Sequence, residues 1–416
     1  MKVSERRDSK SAAAGGDASS NSSSNQPESK SIRKEVIKKA AGRPNLDGYD
    51  HAYATFTWED GKKEITYFAD GKVNAAYNAL DRHLQNGRRN KVALYSVDTN
   101  EKLTKFTFQE LSDMANRIGN ALRSLNVKKG DRVFVFLSRV PELYAATLGT
   151  AKIGAIVGPL FSAFGPDALR DRLIDSKAKV LITNQALKPK IDEIRHELTD
   201  LEYIVVVGET TDDPSKGILS YAKLIEQASD RLQCEPMDPE DPLYLLYTSG
   251  TTGKPKGVLH VHGDILGQHL TSKWVCDLQE DDIYWCTADP GWVTGTVYSI
   301  FGPWSNGASC VAYEGKFAAE NWYKLIDRLK ITVWYTAPTA LRMLMKAGDE
   351  VVYRHSLASL RHVMSVGEPL NPEVVRWGMK VYGLPIHDTW WQSETGMQLI
   401  VNLPCLPIKP GSMGKP

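Results

Sequence analysis

Apolar and polar residues first fall into a regular pattern at about Asp98. In "FQELSDMANRIGNALRSLNV" the residues Leu111, Met114, Ala115, Ile118, Ala121, Leu122 and Leu125 recur every three or four positions, which places them on one face of a helix. That helix is expected to stop at the turn "KKGD". "RVFVFL" then reads as a buried strand, "PELYAATLGTAKIG" as a helix with Pro141 in its first turn, and "AIVGPL" as the next strand. "DALRDRLIDS", "AKVLITN" and "EYIVVVG" continue as helix, strand and strand. Unbroken apolar strands alternating with helices predict crossover units around a mostly parallel sheet.

A polar link rich in Asp, Pro and Ser, Gly208 to Lys216, precedes a second series. Here "PLYLLY", "DIYWCTA", "ASCVAYEG", "ITVWYTAP", "LRHVMSVGE" and "PIHDTW" are strand-like, with helical stretches such as "NWYKLIDRLK" and "PTALRMLMKAG" between them. No fixed short repeat is present. The expected fold is therefore α/β, two similar layered subdomains, with functional loops at the carboxyl ends of the strands. Residues 1–45, centred on "SAAAGGDASSNSSSNQPESKS", are too polar and repetitive to repay the entropy of ordering, so they are expected to form a loose tail before a folded body, residues 46–416. "KSIRKEVIKKA" within that tail reads as a short basic helix with a solvated face.

Composition narrows the picture. A chain of 416 residues, 42% hydrophobic, can bury a large core, and a formal net charge of +1 gives no reason to expect a nucleic-acid groove or an anionic membrane as partner. Small molecules held in a site are the expected partners. No apolar run approaches the roughly 20 residues of a membrane helix, and no signal-peptide block opens the chain, so a cytoplasmic location is expected. Cys234, Cys276, Cys286, Cys310 and Cys405 form an odd, scattered set without C-x-x-C spacing, which fits core thiols in a reducing compartment better than disulfides or a zinc site.

The candidate chemistry gathers in "YTSGTTGKPKGVLH", Tyr247 to His260. It is not a Walker loop: the glycines are too close and Pro255 stands where Ser or Thr belongs. Thr248, Ser249, Thr251 and Thr252 supply hydroxyl donors; Gly250, Gly253 and Gly257 let main-chain N–H groups approach an anion; Lys254 and Lys256 add charge. Directly after a buried strand, this composition suits a mobile polyphosphate-binding loop better than an ordinary Gly/Thr turn. His260, His262 and His269 contain an H-x-H pair, but no further zinc ligands stand at a suitable spacing, and structural roles are expected.

"YTSGTTGKPKGV" resembles the signature loop of the adenylate-forming superfamily, which includes acyl-CoA synthetases, luciferases and adenylation domains of peptide synthetases. "YWCTADPGWVTG", "WYTAPTA", "SVGEPLNPE" and "DTWWQSETG" follow in the order that such an enzyme shows them, and together they narrow the resemblance to the AMP-forming acetate-CoA ligases. It covers the chain from about residue 50 to the end. It implies the large N-terminal domain of such an enzyme, two layered α/β subdomains with mostly parallel sheets plus a smaller β-rich part, using ATP, Mg²⁺ and coenzyme A.

Residue by residue, the resemblance implies that Thr248, Lys254 and Glu394 are catalytic, with Glu394 holding magnesium. The loop from Thr248 through Ser249, Gly250, Thr251, Thr252, Gly253 and Lys254 to Lys256 would hold phosphates. Gly367, Glu368 and Pro369 would line one side of the adenine and Asp388, Thr389 and Trp390 the other, with Gln392 and Ser393 near the α-phosphate. A buried strand end is the plain alternative for "HDTWW", and a surface carboxylate after a turn is the plain alternative for Glu394. Trp391 stands where long-chain relatives have glycine, so its indole is expected to close the acyl tunnel beside Trp292, Val293, Thr294 and Val366, leaving room for little beyond acetate. Ordinary core packing is the alternative for paired tryptophans. Lys188 and Lys190, in "KPK", fall where the family contacts the nucleotide of coenzyme A, although arginines are typical there; Thr294 and Ala337 would neighbour the pantetheine arm.

The chain stops at "PGSMGKP", where the resemblance implies further chain, a ribose-gripping acid and a small C-terminal domain with a catalytic lysine. The expectation is a truncated chain lacking that domain. Four readings stand: an acetate-CoA ligase, with propionate as a poorer substrate; a short-chain (propionate) acyl-CoA synthetase; an ATP- and acyl-adenylate-binding fragment with little turnover; and an adenylation domain feeding a carrier protein, which the small tryptophan-bounded pocket argues against. Oligomeric state is not implied.

Overall fold

The computed structural model describes residues 35–38, 42–209, 211–248 and 253–416, and the stretch Val36–Pro416 forms one compact unit. The first sheet contains β3 (Arg132–Phe136), β4 (Ile156–Pro159), β5 (Val180–Asn184), β6 (Tyr203–Val207), β7 (Ile218–Ser220), β8 (Pro242–Thr248) and β9 (Lys256–Val261), in the spatial order β7-β6-β5-β3-β4-β8-β9. Its neighbours are parallel except for the β8–β9 hairpin. Both faces of β3 are buried: Val133 and Val135 point into one apolar cluster, Phe134 and Phe136 into another. That is why its sequence is a continuous apolar run rather than an alternation.

The second sheet contains β1 (Val92–Val97), β2 (Leu103–Thr107), β10 (Ile283–Cys286), β11 (Ser309–Tyr313), β12 (Val333–Thr336), β13 (His362–Val366), β14 (Ile386–Trp390) and β15 (Ile400–Val401). Its order is β15-β14-β13-β12-β10-β11-β1-β2. The two halves share one core, because the largest cluster of buried apolar side chains takes Val133 and Leu246 from the first sheet and Tyr284, Tyr335 and Met364 from the second. Helices Phe108–Ser124, Pro141–Lys152, Ala319–Leu329 and Pro338–Ala347 lie where the apolar periodicity places them.

Three features depart from the sequence expectation. The β1–β2 hairpin, early in the chain, docks on the far edge of the second sheet, with Leu94 opposite Cys310 in parallel register. Among the described residues no separate third sheet corresponds to the smaller β-rich part; extra antiparallel pairing occurs at sheet edges instead. The attached body also begins before residue 46. Ile37 and Ile408 exchange backbone hydrogen bonds at 2.8 and 2.9 Å, and the Asn45 side chain donates to the carbonyls of Lys273 and Leu278. The described residues 35–38 are not helical there, and the N–H and carbonyl of Ile37 are both used by the strand-like bridge to Ile408. Cys234, Cys276, Cys286 and Cys310 are buried free thiols. Among the described residues no helix is long and apolar enough to cross a membrane.

Lys152 ends the helix Pro141–Lys152 inside this core. Its ammonium is completely buried and donates to Asp81 at 2.7 Å, Ser112 at 3.0 Å and Asn116 at 2.6 Å, while the Cys234 thiol donates to the second Asp81 oxygen at 3.0 Å. A fully bonded buried cation is tolerated, but removing one partner strands the other. Lys152→Met is therefore expected to destabilise the fold by about 3 kcal/mol, and Lys152→Met with Asp81→Leu to recover part of that loss, as read by urea denaturation.

Candidate active site

Parallel strands deliver their carboxyl ends to one edge of a sheet, and the second sheet uses this to build a cavity. Thr287 and Ala288 follow β10, Thr336 ends β12 and Ala337 follows it, Val366 ends β13 and Gly367 follows it, and Trp391 follows β14; all line one space of about 940 Å³. Thr248, at the end of β8, reaches it from the first sheet. A space of this size holds a nucleotide-sized ligand, not merely a two-carbon acid.

The hydroxyl and lysine motif is a hairpin. Thr248 pairs with Lys256 and Tyr247 with Gly257, so Lys256 and Gly257 belong to β9 and the loop proper is shorter than ten residues. Consecutive N–H groups of a strand point to opposite sides and β9 is the edge of its sheet, so one of this pair faces β8 and the other faces away from it. Gly253, Lys254 and the Lys256 side chain are exposed. Ser249, Gly250, Thr251 and Thr252 lie outside the described residues.

The turn after β14 carries most of the remaining chemistry. Gln392 accepts from the N–H groups of Thr395 and Gly396, and the Thr395 hydroxyl accepts from the Gln392 N–H. Gly396 sits at φ +66°, and a Cβ there would lie 2.6 Å from Cε1 of His260, so the turn admits only glycine. Gln392, Ser393 and Glu394 line the cavity, and among the described residues the Glu394 carboxylate has no hydrogen bond or ion pair.

Trp391 is only 8% exposed. Its indole meets the Tyr298 ring edge-on, with centroids 5.2 Å apart, and Nε1 donates to the Tyr335 hydroxyl at 3.4 Å. That hydroxyl also bonds Thr389 Oγ1 at 2.6 Å and accepts from Gln398 Nε2 at 3.1 Å. Val293, Thr294 and Val366 share the cavity wall. Trp292 lines the same cavity but is 46% exposed and packs against Phe161 and Phe164, at 5.3 and 6.1 Å, so it stands at the mouth rather than in the core.

Other expected residues are placed elsewhere. Asp388 and Thr389 are buried in β14 and do not line the cavity: Asp388 accepts from the Thr389 N–H at 3.0 Å, and Thr389 donates to the Ser365 carbonyl at 2.8 Å. Trp390 is paired with Ile400 in the sheet, and neither it nor the exposed Pro369 lines the space. Glu368 does line it, with its carboxylate held below the usual range by the Thr339 hydroxyl, 2.7 Å away, and by Arg342. Lys188 pairs with Asp192 at 2.7 Å, and Lys190 donates to the Phe164 carbonyl at 2.9 Å. Both ammoniums thus have partners within the protein, and neither lines the cavity.

Sequence reasoning did not single out Tyr335, Phe317, Trp322 or Met343, which also line the cavity. Tyr335 lay in the quoted stretch "WYTAPTA", and period-two alternation sends it opposite to Trp334, whose side chain joins another core cluster. The histidines are built into the frame. His262 Nδ1 accepts from the Ala75 N–H at 3.1 Å, with burial pushing the ring's pKa down to about 3, and His269 Nδ1 lies 3.0 Å from the Ser305 hydroxyl.

A cavity at the carboxyl ends of parallel strands, faced by a hydroxyl- and lysine-bearing hairpin and by an open carboxylate, defines an α/β protein of the nucleotide-binding class. Residues 80–416 match the family described as AMP-binding enzyme. The chain is 54% identical over 385 residues to acetyl-coenzyme A synthetase of Bacillus subtilis (strain 168), covering 92% of this chain and 66% of that protein. It is 44% identical over 370 residues to acetyl-coenzyme A synthetase of Methanothrix thermoacetophila, covering 84% and 56%. The crystal structure of Brucella canis acyl-CoA synthetase superposes with a TM-score of 0.82 at 36% identity, covering 89% of this chain and 66% of that one. The chain belongs to the AMP-binding enzyme family. It spans 66% and 56% of the lengths of these two synthetases.

Burial pushes the Asp388 carboxyl up to about 6, with the N–H groups of Thr389 and Leu370 opposing the shift. A carboxyl raised by folding contributes stability that is fully present below its unfolded value and is lost as pH rises through about 6. The melting temperature of Asp388→Asn relative to the wild type should therefore rise between pH 5 and pH 7, as followed by thermal unfolding.

Proposed function

We propose that the protein of which this chain is part is an AMP-forming acetate-CoA ligase. Acetate oxygen attacks the α-phosphorus of ATP, the bond to the β-phosphate oxygen breaks and pyrophosphate leaves; the CoA thiol then loses its proton as sulfur attacks the acetyl carbonyl, and AMP departs. The single observation that supports acetate is the Trp391 indole, clamped between Tyr298 and Tyr335 in the wall formed with Val293, Thr294 and Val366. Such a wall leaves room for a methyl group and opposes a longer tail.

The other residues divide the work of holding two anions in line. Thr248 and the exposed Lys254 and Lys256 face the β- and γ-phosphates, and Ser249, Gly250, Thr251, Thr252 and Gly253 are assigned to the same phosphates. Gln392 and Ser393 serve the α-phosphate, while the main chain at Gly367 and Glu368 flanks the adenine on one side and Pro369 follows outside the cavity lining. Asp388, Thr389 and Trp390 support the opposite side from within β14. Glu394 fits Mg²⁺, since it offers an open oxygen donor on the cavity wall among hydroxyls. The metal, when bound, supplies charge neutralisation of the phosphates. Thr294 and Ala337 line the path of the pantetheine arm; the internal partners of Lys188 and Lys190 weaken their assignment to coenzyme A. The small cavity wall also disfavours a carrier-protein adenylation domain for larger acids.

Acetate-dependent exchange of labelled pyrophosphate into ATP tests the proposal. ATP binding without exchange would instead mark this chain as an ATP- and acyl-adenylate-binding fragment. Each added methylene is worth about 1–3 kcal/mol in such a pocket, so propionate should react more slowly than acetate. Trp391→Gly is expected to raise kcat/KM for medium-chain acids by about 10-fold or more. Retention of the two- and three-carbon preference in that variant would remove the indole from the specificity wall.

A further inference from the structure

His260 lies in β9, four residues beyond Lys256, and is almost fully buried. Its Nε2 is 2.7 Å from the carbonyl oxygen of Ser393, the residue before Glu394, and its Nδ1 is 2.8 Å from Asp264 Oδ2. A carbonyl oxygen can only accept, so Nε2–H is the donor in the bond to Ser393. The ring stacks on Tyr244 of β8 with centroids 4.6 Å apart, and Gly396 approaches its edge so closely that no side chain fits between them. The Tyr244 hydroxyl in turn accepts from Gln268 at 3.0 Å. The charged and titratable groups facing the ring are thus Asp264 from its own side and Tyr244 from the adjacent strand.

This arrangement crosses the molecule. β9 belongs to the first sheet and carries the arm of the lysine-bearing hairpin, whereas Ser393 belongs to the turn that follows β14 of the second. The bond therefore sets the distance between the two elements that must meet around a triphosphate. Glu394 has no side-chain partner of its own to orient it among the described residues, so its direction depends on the backbone of its turn. We propose that His260 is a positioning residue: by donating to the Ser393 carbonyl, with Asp264 holding the ring, it fixes the turn that presents Glu394 to the metal-bound phosphates. The inference rests on the reading of Glu394 as a magnesium ligand.

Groups that orient a metal ligand from behind typically change metal affinity by about 10- to 100-fold when removed. The measurement is the dissociation constant of ATP, by calorimetry on the folded chain, with Mg²⁺ and with EDTA. The wild type should bind ATP more tightly with magnesium, and Glu394→Gln should abolish that gain. His260→Leu, which has no donor, should lose about 10-fold of the magnesium-dependent gain while its affinity for metal-free ATP stays within about twofold. His260→Gln, whose amide can still donate to Ser393, should restore most of the gain and also guards against a Leu variant that does not fold. If Glu394→Gln abolishes the gain but His260→Leu and His260→Gln retain it in full, this inference alone is overturned. An equal loss of metal-free and magnesium-bound ATP affinity in both histidine variants also overturns it, by marking a general structural role. No magnesium gain in the wild type overturns the reading of Glu394, and this inference with it.

Discussion

Two sheets that grow from separate stretches of chain present their loops to a single cavity, and a 2.7 Å contact between His260 and the Ser393 carbonyl ties them together there. Parallel pairing explains why the loops gather on one edge, because every such strand ends in the same direction. It does not explain why an arm of one sheet and a turn of the other keep a fixed separation. That depends on the buried contacts around His260: Tyr244 against one face of the ring, Gly396 against its edge and Asp264 at Nδ1. A buried polar group must find partners, so the ring and the turn constrain each other.

The opposite wall is held by a different device. The Tyr335 hydroxyl bonds with Thr389, Gln398 and Trp391, and the Tyr298 hydroxyl accepts from the Gln398 N–H at 3.0 Å. In a low-dielectric interior such bonds reinforce one another, and a ring locked at edge and nitrogen has little freedom to swing aside. The cavity therefore has a rigid apolar end at Trp391 and an open polar end at Thr248, Ser393 and Glu394. Rigidity where a small acyl group would be measured and exposure where phosphates would enter and leave fit the two tasks of an adenylating site.

Much of the fold was legible because parallel strands buried on both faces advertise themselves as apolar runs. β3, β5 and β6 are such runs, and the helices Phe108–Ser124 and Ala319–Leu329 show the expected periodicity. The elements that escaped notice are those whose identity depends on a distant partner. β1 joins the edge of the second sheet only because β11, more than two hundred residues later, pairs with it. β9 looks like part of a glycine-rich loop until β8 supplies its register. Ile37 and Asn45 sit in a polar, low-complexity neighbourhood, and bonds to distant residues, among them Ile408, Asp277, Lys273 and Leu278, attach them to the body.

The same division runs through the site. Contiguous chemistry could be read straight from the chain: hydroxyls and lysines after a buried strand, and a tryptophan three residues before a carboxylate on one turn. Neighbours in the chain remain neighbours in space, so such motifs survive folding unchanged. Which side chains face the cavity and which serve the frame was settled by packing: Asp388 and Thr389 turned inward, Lys188 and Lys190 occupied by internal partners, and Tyr335 brought behind the indole. Hydrogen bonds and ring contacts join atoms across sequence separations that local pattern does not encode, and the direction of a side chain is fixed only when both sheets have packed.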